Sequence, residues 1–280
     1  MQTLKNKVAV VTGAASKRGL GRAIAVRFAK EGANVAVLDK YAVPRSVWAE
    51  DEGWGGLADV VKEIEATGQQ GLALETDVSD SAAVDAAVSK TIEAFGKIDI
   101  LVHGGGVRGP MNKPLVELSE AEWRSVIDVN LTGSFLISKA VAKTMIPDGE
   151  GKKIVLIGSM GGTKGYPGSG SYCSSKFGVV GLGKTLAQEL ARYKINVNMI
   201  HPGGFDTNLR DDQIRKIAET KGISLSEAIE EEKKSGPPEN FIPFGRLGRP
   251  EEIADLALFL VSDQSVYITG QGIIIAGGLA

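Results

Sequence analysis

The sequence is poor in the residues that build disulfide frameworks and metal sites. It has one cysteine, Cys173, so an intramolecular disulfide is impossible and a reducing compartment is expected. Its two histidines, His103 and His201, lack the spacing and the companions of a zinc site, and we expect no metal. No apolar run approaches the roughly 20 residues that span a bilayer, and the first residues lack the shape of a signal peptide. These features predict a soluble, cytoplasmic protein with no membrane partner.

An excess of charge of either sign is lacking as well. The 32 Lys and Arg residues and the 34 Asp and Glu residues give a formal net charge of -2. This balance offers no basic surface for nucleic acid. The 280 residues are 43% hydrophobic, which suffices for the core of one large domain or two small ones. Because no linker interrupts the pattern, we predict a single domain over residues 1–280.

What the sequence does have is an alternation of apolar strands and helical stretches. Continuous apolar strands separated by helices predict a parallel sheet that is covered by helices on both faces. The fold class is therefore α/β, with a doubly wound parallel sheet. The predicted strands lie near residues 8–11, 35–38, 71–74, 98–102, 154–157, 195–200 and 273–275. The predicted helices lie near residues 19–30, 57–66, 81–95, within 119–145, 172–192 and 251–260.

Two segments depart from this alternation. Residues 41–56 carry Trp48 and Trp54 where a short connection is expected, and their role is open. Residues 205–248 form a long, polar and partly helical segment. A connection of that length in a compact α/β domain is usually a lid, a partner surface or a mobile segment. We predict a helical substrate lid.

The most informative pattern joins Ser159, Tyr172 and Lys176. Tyr172 and Lys176 are four residues apart, so both project from one face of a helix. A tyrosine has an ordinary pKa near 10, and lowering it to about 7 takes roughly 4 kcal/mol. A cation about 4 Å away at an effective dielectric near 20 supplies an energy of that order, whereas burial opposes the shift. The neighbouring Cys173 invites a nucleophile hypothesis, but a small packing residue is the favoured interpretation.

A glycine-rich loop follows the first predicted strand and precedes a helix. Glycines there let the backbone approach a pyrophosphate, and the helix N-terminus attracts negative charge. Asp39 closes the second strand, where a carboxylate accepts hydrogen bonds from the adenosine ribose and repels a 2′-phosphate. That position favours NAD over NADP. Three nearby cations could instead accept that phosphate: Lys17, Arg18 and Lys40.

Together these motifs resemble the short-chain dehydrogenase/reductase family over essentially the whole chain. The family's motifs are matched by Thr12, Gly13, Gly19 and Gly21 (with two extra residues between the glycines), Asp77-Val78, Asn130, Ser159, Tyr172 with Lys176, and Pro202-Gly203 with Thr207. One departure is His103-Gly-Gly-Gly106 in place of Asn-Asn-Ala-Gly, which is expected to remove a side chain that ties neighbouring strands. His103 could bond beside the adenosine ribose or merely fill the space, and both interpretations stay open.

The resemblance implies a Rossmann fold, a homotetramer and an oxidoreductase that uses NAD, with NADP less favoured. Tyr172 would exchange the substrate's proton and Ser159 would hold the substrate oxygen. Lys176 would lower the pKa of Tyr172 and bind the nicotinamide ribose, while Asn130 would anchor a water. The implied cofactor contacts are Gly13, Ser16, Arg18, Gly19, Leu20, Gly21, Asp39, Asp77, Val78, His103, Gly104, Gly105, Tyr172, Lys176, Pro202, Gly203, Phe205 and Thr207. The implied substrate contacts are Ser159, Gly161, Tyr166, Tyr172 and Gly204.

Three interpretations of the function stand. The polar lid and Asp39 favour oxidation of a secondary alcohol, with a polyol or sugar as the first expectation. The alternative is an NADP-dependent ketoreductase of the 3-oxoacyl type. A non-catalytic NAD-binding regulatory protein on the same fold is the third, and the complete set of catalytic residues disfavours it.

Overall fold

Seven strands form one parallel sheet in the computed structural model, which describes residues 3–44, 46–234 and 242–279. The side chains of Glu50, Arg210, Asp212, Gln213, Lys216 and residues 232–234 are not described. The strands are β1 (Val8–Thr12), β2 (Asn34–Asp39), β3 (Gly71–Glu75), β4 (Ile100–His103), β5 (Lys153–Ile157), β6 (Asn196–Pro202) and β7 (Gly272–Ile275). Their order is β3-β2-β1-β4-β5-β6-β7, and each neighbouring pair is parallel. The predicted parallel sheet is confirmed.

Helices connect the strands and cover both faces of the sheet, which confirms the doubly wound α/β fold. Their bounds are α1 (Leu20–Lys30), α2 (Leu57–Glu65), α3 (Ser81–Phe95), α4 (Glu120–Ile127), α5 (Gly133–Met145), α6 (Gly170–Ala191), α7 (Asp211–Lys221), α8 (Leu225–Lys234) and α9 (Pro250–Val261). A π-helical turn over Asp128–Thr132 joins α4 to α5.

Successive strand residues face opposite layers of helices, as the period of two in an extended chain requires. Val11 belongs to the layer that contains Phe28 of α1, whereas Val10 belongs to the layer that contains Val141 of α5. These side chains are at most 1% exposed. Because both faces of each central strand are buried, its sequence is continuously apolar rather than alternating.

The loops that leave β1 and β4 meet at the centre of the sheet, where the strand order reverses. Gly13 has a φ of 71°, and a Cβ on it would lie 2.8 Å from the Gly104 carbonyl oxygen. A larger residue would therefore push the two loops apart. In doubly wound sheets, ligands bind at this reversal, outside the carboxyl ends of the strands.

The two segments that depart from the alternation pack against each other. Residues 205–248, of which 235–241 lie outside the described residues, contain α7 and α8. Ile214 of α7 is fully buried in a small cluster that includes Trp48 of the earlier segment. The Trp48 indole N–H also donates a hydrogen bond of 2.9 Å to Asp211. The predicted helical content is present, and the role of a substrate lid stays a prediction.

Candidate active site

The three residues of the predicted proton-transfer set meet beyond the carboxyl end of β5. Ser159 lies two residues after β5, and α6 presents Tyr172 and Lys176 one turn apart. The Ser159 Oγ accepts a hydrogen bond of 3.0 Å from the Gly161 N–H. A Cβ on Gly161 would lie 3.2 Å from Tyr172 Cε1 and 3.5 Å from Ser159 Oγ. The hydroxyl and the phenol ring therefore flank one small space that a glycine keeps open.

The pKa of Tyr172 departs from the expectation. Burial raises the pKa of this phenol, while a hydrogen bond with Ser159 and the positive charge of Arg108 oppose the rise. Lys176 was expected to lower the pKa of Tyr172, but it is not among the groups that do so. The Lys176 Nζ donates instead to the Ile157 carbonyl oxygen at 3.0 Å and lies 5.8 Å from the centre of the Tyr172 ring. Loss of hydration of the phenolate therefore outweighs the opposing effects of Ser159 and Arg108 on the pKa of Tyr172.

Lys176 is itself perturbed by its surroundings. Its side chain is buried, and burial lowers its pKa to about 8 because the ammonium loses its hydration. A lysine with a pKa this close to neutral can exchange a proton as well as supply a positive charge. Lys176 is thus fitted to exchange protons beside the phenol.

The amide of Asn130 links the loop after β4 to α6. Its Oδ1 accepts from the Val107 N–H at 2.8 Å, and its Nδ2 donates to the Val107 carbonyl at 2.9 Å and to Ser175 Oγ at 3.0 Å. A Cβ on Gly106 would lie 3.2 Å from Asn130 Oδ1 and 3.6 Å from Lys176 Nζ. Asn130 therefore borders the same space as Lys176. It lies in the π-helical turn, an irregularity that is frequent at functional sites.

The loop between β1 and α1 fits the diphosphate of a dinucleotide. A Cβ on Gly21 would lie 2.3 Å from the Gly13 carbonyl oxygen, so the backbone there leaves no room for a side chain. Gly19 is the N-cap of α1 and supplies no side-chain hydrogen bond to the helix. The first N–H groups of α1, beginning at Leu20, are therefore available to an anion. Ser16 lies on the same loop and accepts a backbone hydrogen bond of 2.9 Å from Gly19.

Asp39 lies at the end of β2, beside this loop. Its Oδ2 accepts a hydrogen bond of 3.0 Å from the Ala15 N–H. Burial raises the pKa of Asp39, and the backbone N–H groups of Ala15, Lys40 and Tyr41 oppose the rise. The Lys40 ammonium forms an ion pair of 2.8 Å with Asp77. Asp39 is thus placed to accept ribose hydroxyls, while Lys40 is already neutralised.

Arg18 is held by acidic and aromatic side chains of the two extra segments. Its guanidinium lies 4.7 Å from the centre of the Trp48 ring, 3.3 Å from Asp206 and 3.6 Å from Asp51. Its backbone N–H donates to the Asn208 side-chain oxygen at 3.1 Å. These contacts offset part of the positive charge that could accept a 2′-phosphate. A contact between Arg18 and the cofactor stays a prediction.

His103 ties β4 to β1. Its Nδ1 and the Thr12 Oγ1 share a hydrogen bond of 2.7 Å, and that hydroxyl also accepts the N–H groups of Gly104 and Gly105 at 3.1 Å each. The Thr12 hydroxyl therefore donates to Nδ1, which assigns the imidazole proton to Nε2. The Asn side chain of the family's motif is replaced, as the sequence indicates, and His103 supplies a hydrogen bond between the two strands in its place. Burial lowers the pKa of His103 to about 3, and its contact with the cofactor stays a prediction.

The remaining predicted residues lie at the same edge of the sheet, at or beyond the carboxyl ends of β3, β5 and β6. Those nearest the sheet are Asp77, Val78, Pro202, Gly203, Gly204, Phe205 and Thr207. Tyr166 is 40% exposed and lines an open apolar groove of about 580 Å³ with Leu115, Cys173 and Phe177. Cys173 is buried, as expected of a packing residue. Contact of Tyr166 and Gly204 with substrate stays a prediction.

Sequence analysis missed Arg108, whose charge acts on Tyr172. It belongs to no motif of the family. The only signal in the sequence is a cation two residues beyond the glycine run that ends at Gly106. The run follows β4 at the edge of the sheet where the cofactor is predicted to bind. A cation directly after it is therefore a candidate for the site.

The described residues show neither a metal site nor a membrane-spanning helix. They include no group of three or more His, Cys, Asp and Glu side chains that could hold a metal ion. None of the helices described is both long enough and apolar enough to cross a bilayer.

Known proteins resemble this chain over nearly its full length. A family model described as enoyl-(acyl carrier protein) reductase matches residues 13–280. A 3-oxoacyl-[acyl-carrier-protein] reductase of Thermotoga maritima is 37% identical, with 99% of this chain and 98% of that protein covered. An uncharacterised NAD-dependent oxidoreductase of Mycobacterium tuberculosis is 38% identical, with 97% and 94% covered. A crystal structure of a short-chain type dehydrogenase/reductase from Mycobacterium marinum aligns with a TM-score of 0.80 at 32% identity, with 98% and 96% covered.

The chain belongs to the short-chain dehydrogenase/reductase family. It is an oxidoreductase of this family, and the family binds a nicotinamide cofactor. The residues present fit such a cofactor, because the crossing of Gly13 and Gly104 and the first turn of α1 form a cradle without side chains. The comparisons favour the 3-oxoacyl ketoreductase interpretation over the polyol or sugar interpretation.

Proposed function

We propose that this short-chain dehydrogenase/reductase uses NAD to interconvert a ketone and a secondary alcohol, with 3-oxoacyl compounds as the substrate class. The observation that carries the proposal is the single space flanked by Ser159 Oγ and the Tyr172 ring, beside the buried ammonium of Lys176. The name of the Thermotoga maritima relative supports a 3-oxoacyl substrate over a polyol or sugar.

The charges around the adenosine end support NAD over NADP. The Asp39 carboxylate stands at the end of β2, where a 2′-phosphate would be repelled. Two of the three cations that could offset it are engaged elsewhere, Arg18 with Asp51 and Asp206 and Lys40 with Asp77. The name of the Mycobacterium tuberculosis relative agrees with this choice.

Each catalytic residue has a role that its position supports. Ser159 donates a hydrogen bond to the substrate oxygen and holds it beside the phenol. Tyr172 gives a proton to that oxygen in reduction and takes it in oxidation. Lys176 supplies positive charge and exchanges protons with the phenol of Tyr172. Asn130 holds the loop beside the space between Ser159 and Tyr172. The cofactor, when bound, supplies the hydride.

A homotetramer in the cytoplasm remains part of the proposal. Phe135 of α5 and Phe177 of α6 are 45% and 46% exposed, and Tyr267 is fully exposed. Exposed aromatic side chains of this kind are enriched at interfaces between protein chains and are available to one here.

The experiment is a measurement of nicotinamide absorbance with NADH and NADPH in parallel. The panel contains 3-oxoacyl thioesters, short 3-oxo acids and, in the reverse direction, polyols and sugars. We expect oxidation of NADH, and little oxidation of NADPH, with the 3-oxo compounds. Turnover of polyols alone would support the polyol or sugar substrate that was first expected from the sequence. Tight binding of NADH without any turnover would support a regulatory protein instead.

A further inference from the structure

Arg108 lies in the loop that leaves β4 and passes the first turn of α6. The residue before it, Val107, is held at both its N–H and its carbonyl by Asn130. The residue after it, Gly109, has a φ of 67°, and a Cβ on it would lie 3.7 Å from Ser171 Oγ. Ser171 directly precedes the catalytic tyrosine. The backbone at Arg108 is therefore held between Asn130 and the first turn of α6.

The charge of Arg108 reaches the reacting end of the site. A guanidinium stays protonated at all relevant pH values, and that of Arg108 opposes the rise in the pKa of Tyr172. Such an effect requires proximity, because the Coulomb energy falls with distance and with solvent screening. A substrate held by Ser159 and Tyr172 therefore lies within the field of this cation.

Arg108 is also unusual among the arginines of this chain. It is partly buried, and it forms no ion pair and no hydrogen bond with any described residue. A guanidinium beside the site that has no carboxylate of the protein as a partner can pair with a negative charge on a ligand. The arginines that pair with carboxylates of the protein are Arg18, Arg22, Arg27, Arg124, Arg246 and Arg249.

We propose that Arg108 binds a carboxylate of the substrate, a few bonds from the reacting carbonyl. The inference rests on the proposed function and narrows it: within the 3-oxoacyl class, the substrate is a free 3-oxo or 3-hydroxy acid. The planar guanidinium matches a carboxylate with two parallel N–H···O hydrogen bonds. A thioester has no charge at this position and would leave Arg108 unpaired. Arg108 is thus a residue that determines substrate specificity.

The test compares an acid with its neutral ester. The kcat/KM for NAD-linked oxidation is measured with racemic 3-hydroxybutyrate and with its methyl ester. The variants are Arg108→Gln, Arg108→Lys and, as a control, Arg124→Gln, which removes an arginine from the exposed face of α4. We expect the wild type and the control to prefer the acid by at least about tenfold, which corresponds to about 1.4 kcal/mol. Arg108→Gln should lose most of that preference, and Arg108→Lys should retain part of it.

A binding measurement does not depend on turnover. Acetoacetate should raise the melting temperature of the NADH complex of the wild type, and should raise that of Arg108→Gln much less. If Arg108→Gln does not fold, the comparison of acid and ester in the wild type still decides.

Several results would overturn the inference. A wild type that uses the ester as well as the acid would exclude a carboxylate site. An equal loss for acid and ester in Arg108→Gln, with a shifted pH profile, would mean that Arg108 only tunes Tyr172. Turnover of 3-oxoacyl thioesters with none of the free acids would refute the inference and leave the proposed function intact. Absence of nicotinamide-linked turnover for every ketone and alcohol would refute the proposed function itself.

Discussion

The side-chain amide of Asn130 forms hydrogen bonds with both polar groups of the Val107 backbone, at 2.8 Å and 2.9 Å. One side chain thus fixes the loop that carries Arg108 on one side and borders the Lys176 ammonium on the other. The π-helical turn directs Asn130 to this place, between α4 and α5. The same side chain therefore holds the loop and contacts α6, the helix that carries the proposed proton-transfer residues Tyr172 and Lys176.

Asn130→Ala should destabilise the protein and slow catalysis. The substitution leaves the Val107 N–H and carbonyl without their partners, and each unsatisfied buried group costs about 1–3 kcal/mol. The free energy of unfolding in urea should fall by at least about 2 kcal/mol, together with kcat/KM. Ser175→Ala is the matched control, because it removes only one of the three hydrogen bonds of Asn130. Equal stability of Asn130→Ala and the wild type would contradict this account of the loop.

Asp39→Ser should change the choice of cofactor. Removal of the carboxylate takes away the acceptor for the ribose hydroxyls and the repulsion of a 2′-phosphate. The KM for NAD should rise at least about tenfold, and NADP should become a usable cofactor. Asp85→Ser on the exposed face of α3 is the control and should leave the ratio of NAD to NADP activity unchanged. A variant that keeps its preference for NAD would show that other residues set the choice.

Trp48→Phe should make local opening of α7 more frequent. The variant keeps an aromatic ring beside Arg18 but loses the indole hydrogen bond to Asp211, which contributes about 1 kcal/mol. Amide hydrogen exchange in residues 211–221 should become faster by several-fold, and faster still in Trp48→Ala. Trp123→Phe in α4 is the control and should leave this exchange unchanged. Unchanged exchange in both Trp48 variants would mean that residues 41–56 do not hold the helices of the predicted lid.

His103→Asn should reduce the loss of stability in acid. His103 has a pKa of about 3 in the folded protein against 6.5 ordinarily. As pH falls below about 6.5, the unfolded chain binds a proton that the folded chain excludes, so stability falls by up to about 1.4 kcal/mol per pH unit. Between about pH 7 and pH 5, the free energy of unfolding should change less steeply with pH in the variant than in the wild type. Burial also lowers the pKa of His201, so part of the slope should persist. An identical slope in both proteins would contradict the neutral, buried state of His103.

The sequence predicted the fold well because the fold depends on local patterns. Strands buried on both faces require runs of Val, Ile and Leu, and those runs end within two residues of the observed strands. The placement of the proposed proton-transfer residues was equally predictable, since Tyr172 and Lys176 lie one helical turn apart and the glycines mark the close approach of two loops. These features depend on residues that are near in sequence or that share one edge of the sheet.

Long-range contacts could not be predicted in the same way. Trp48 and Asp211 are far apart in sequence, and nothing in either segment indicates their hydrogen bond. The pairing of His103 with Thr12 depends on the register of β1 against β4. Burial raises the pKa of Tyr172. The four-residue spacing determines neither that burial nor the hydrogen bond of the Lys176 ammonium to the Ile157 carbonyl.

Tyr172→Phe tests the central claim of the account. The variant keeps the ring that packs beside Gly161 and removes only the hydroxyl that exchanges the proton. The measurement is the rate of NADH oxidation with a 3-oxo acid and a 3-oxoacyl thioester, together with NADH affinity from fluorescence titration. We predict a loss of turnover of at least about a hundredfold, with NADH affinity close to that of the wild type. Turnover near the wild-type rate would contradict the assignment of Tyr172 as the proton-transfer residue.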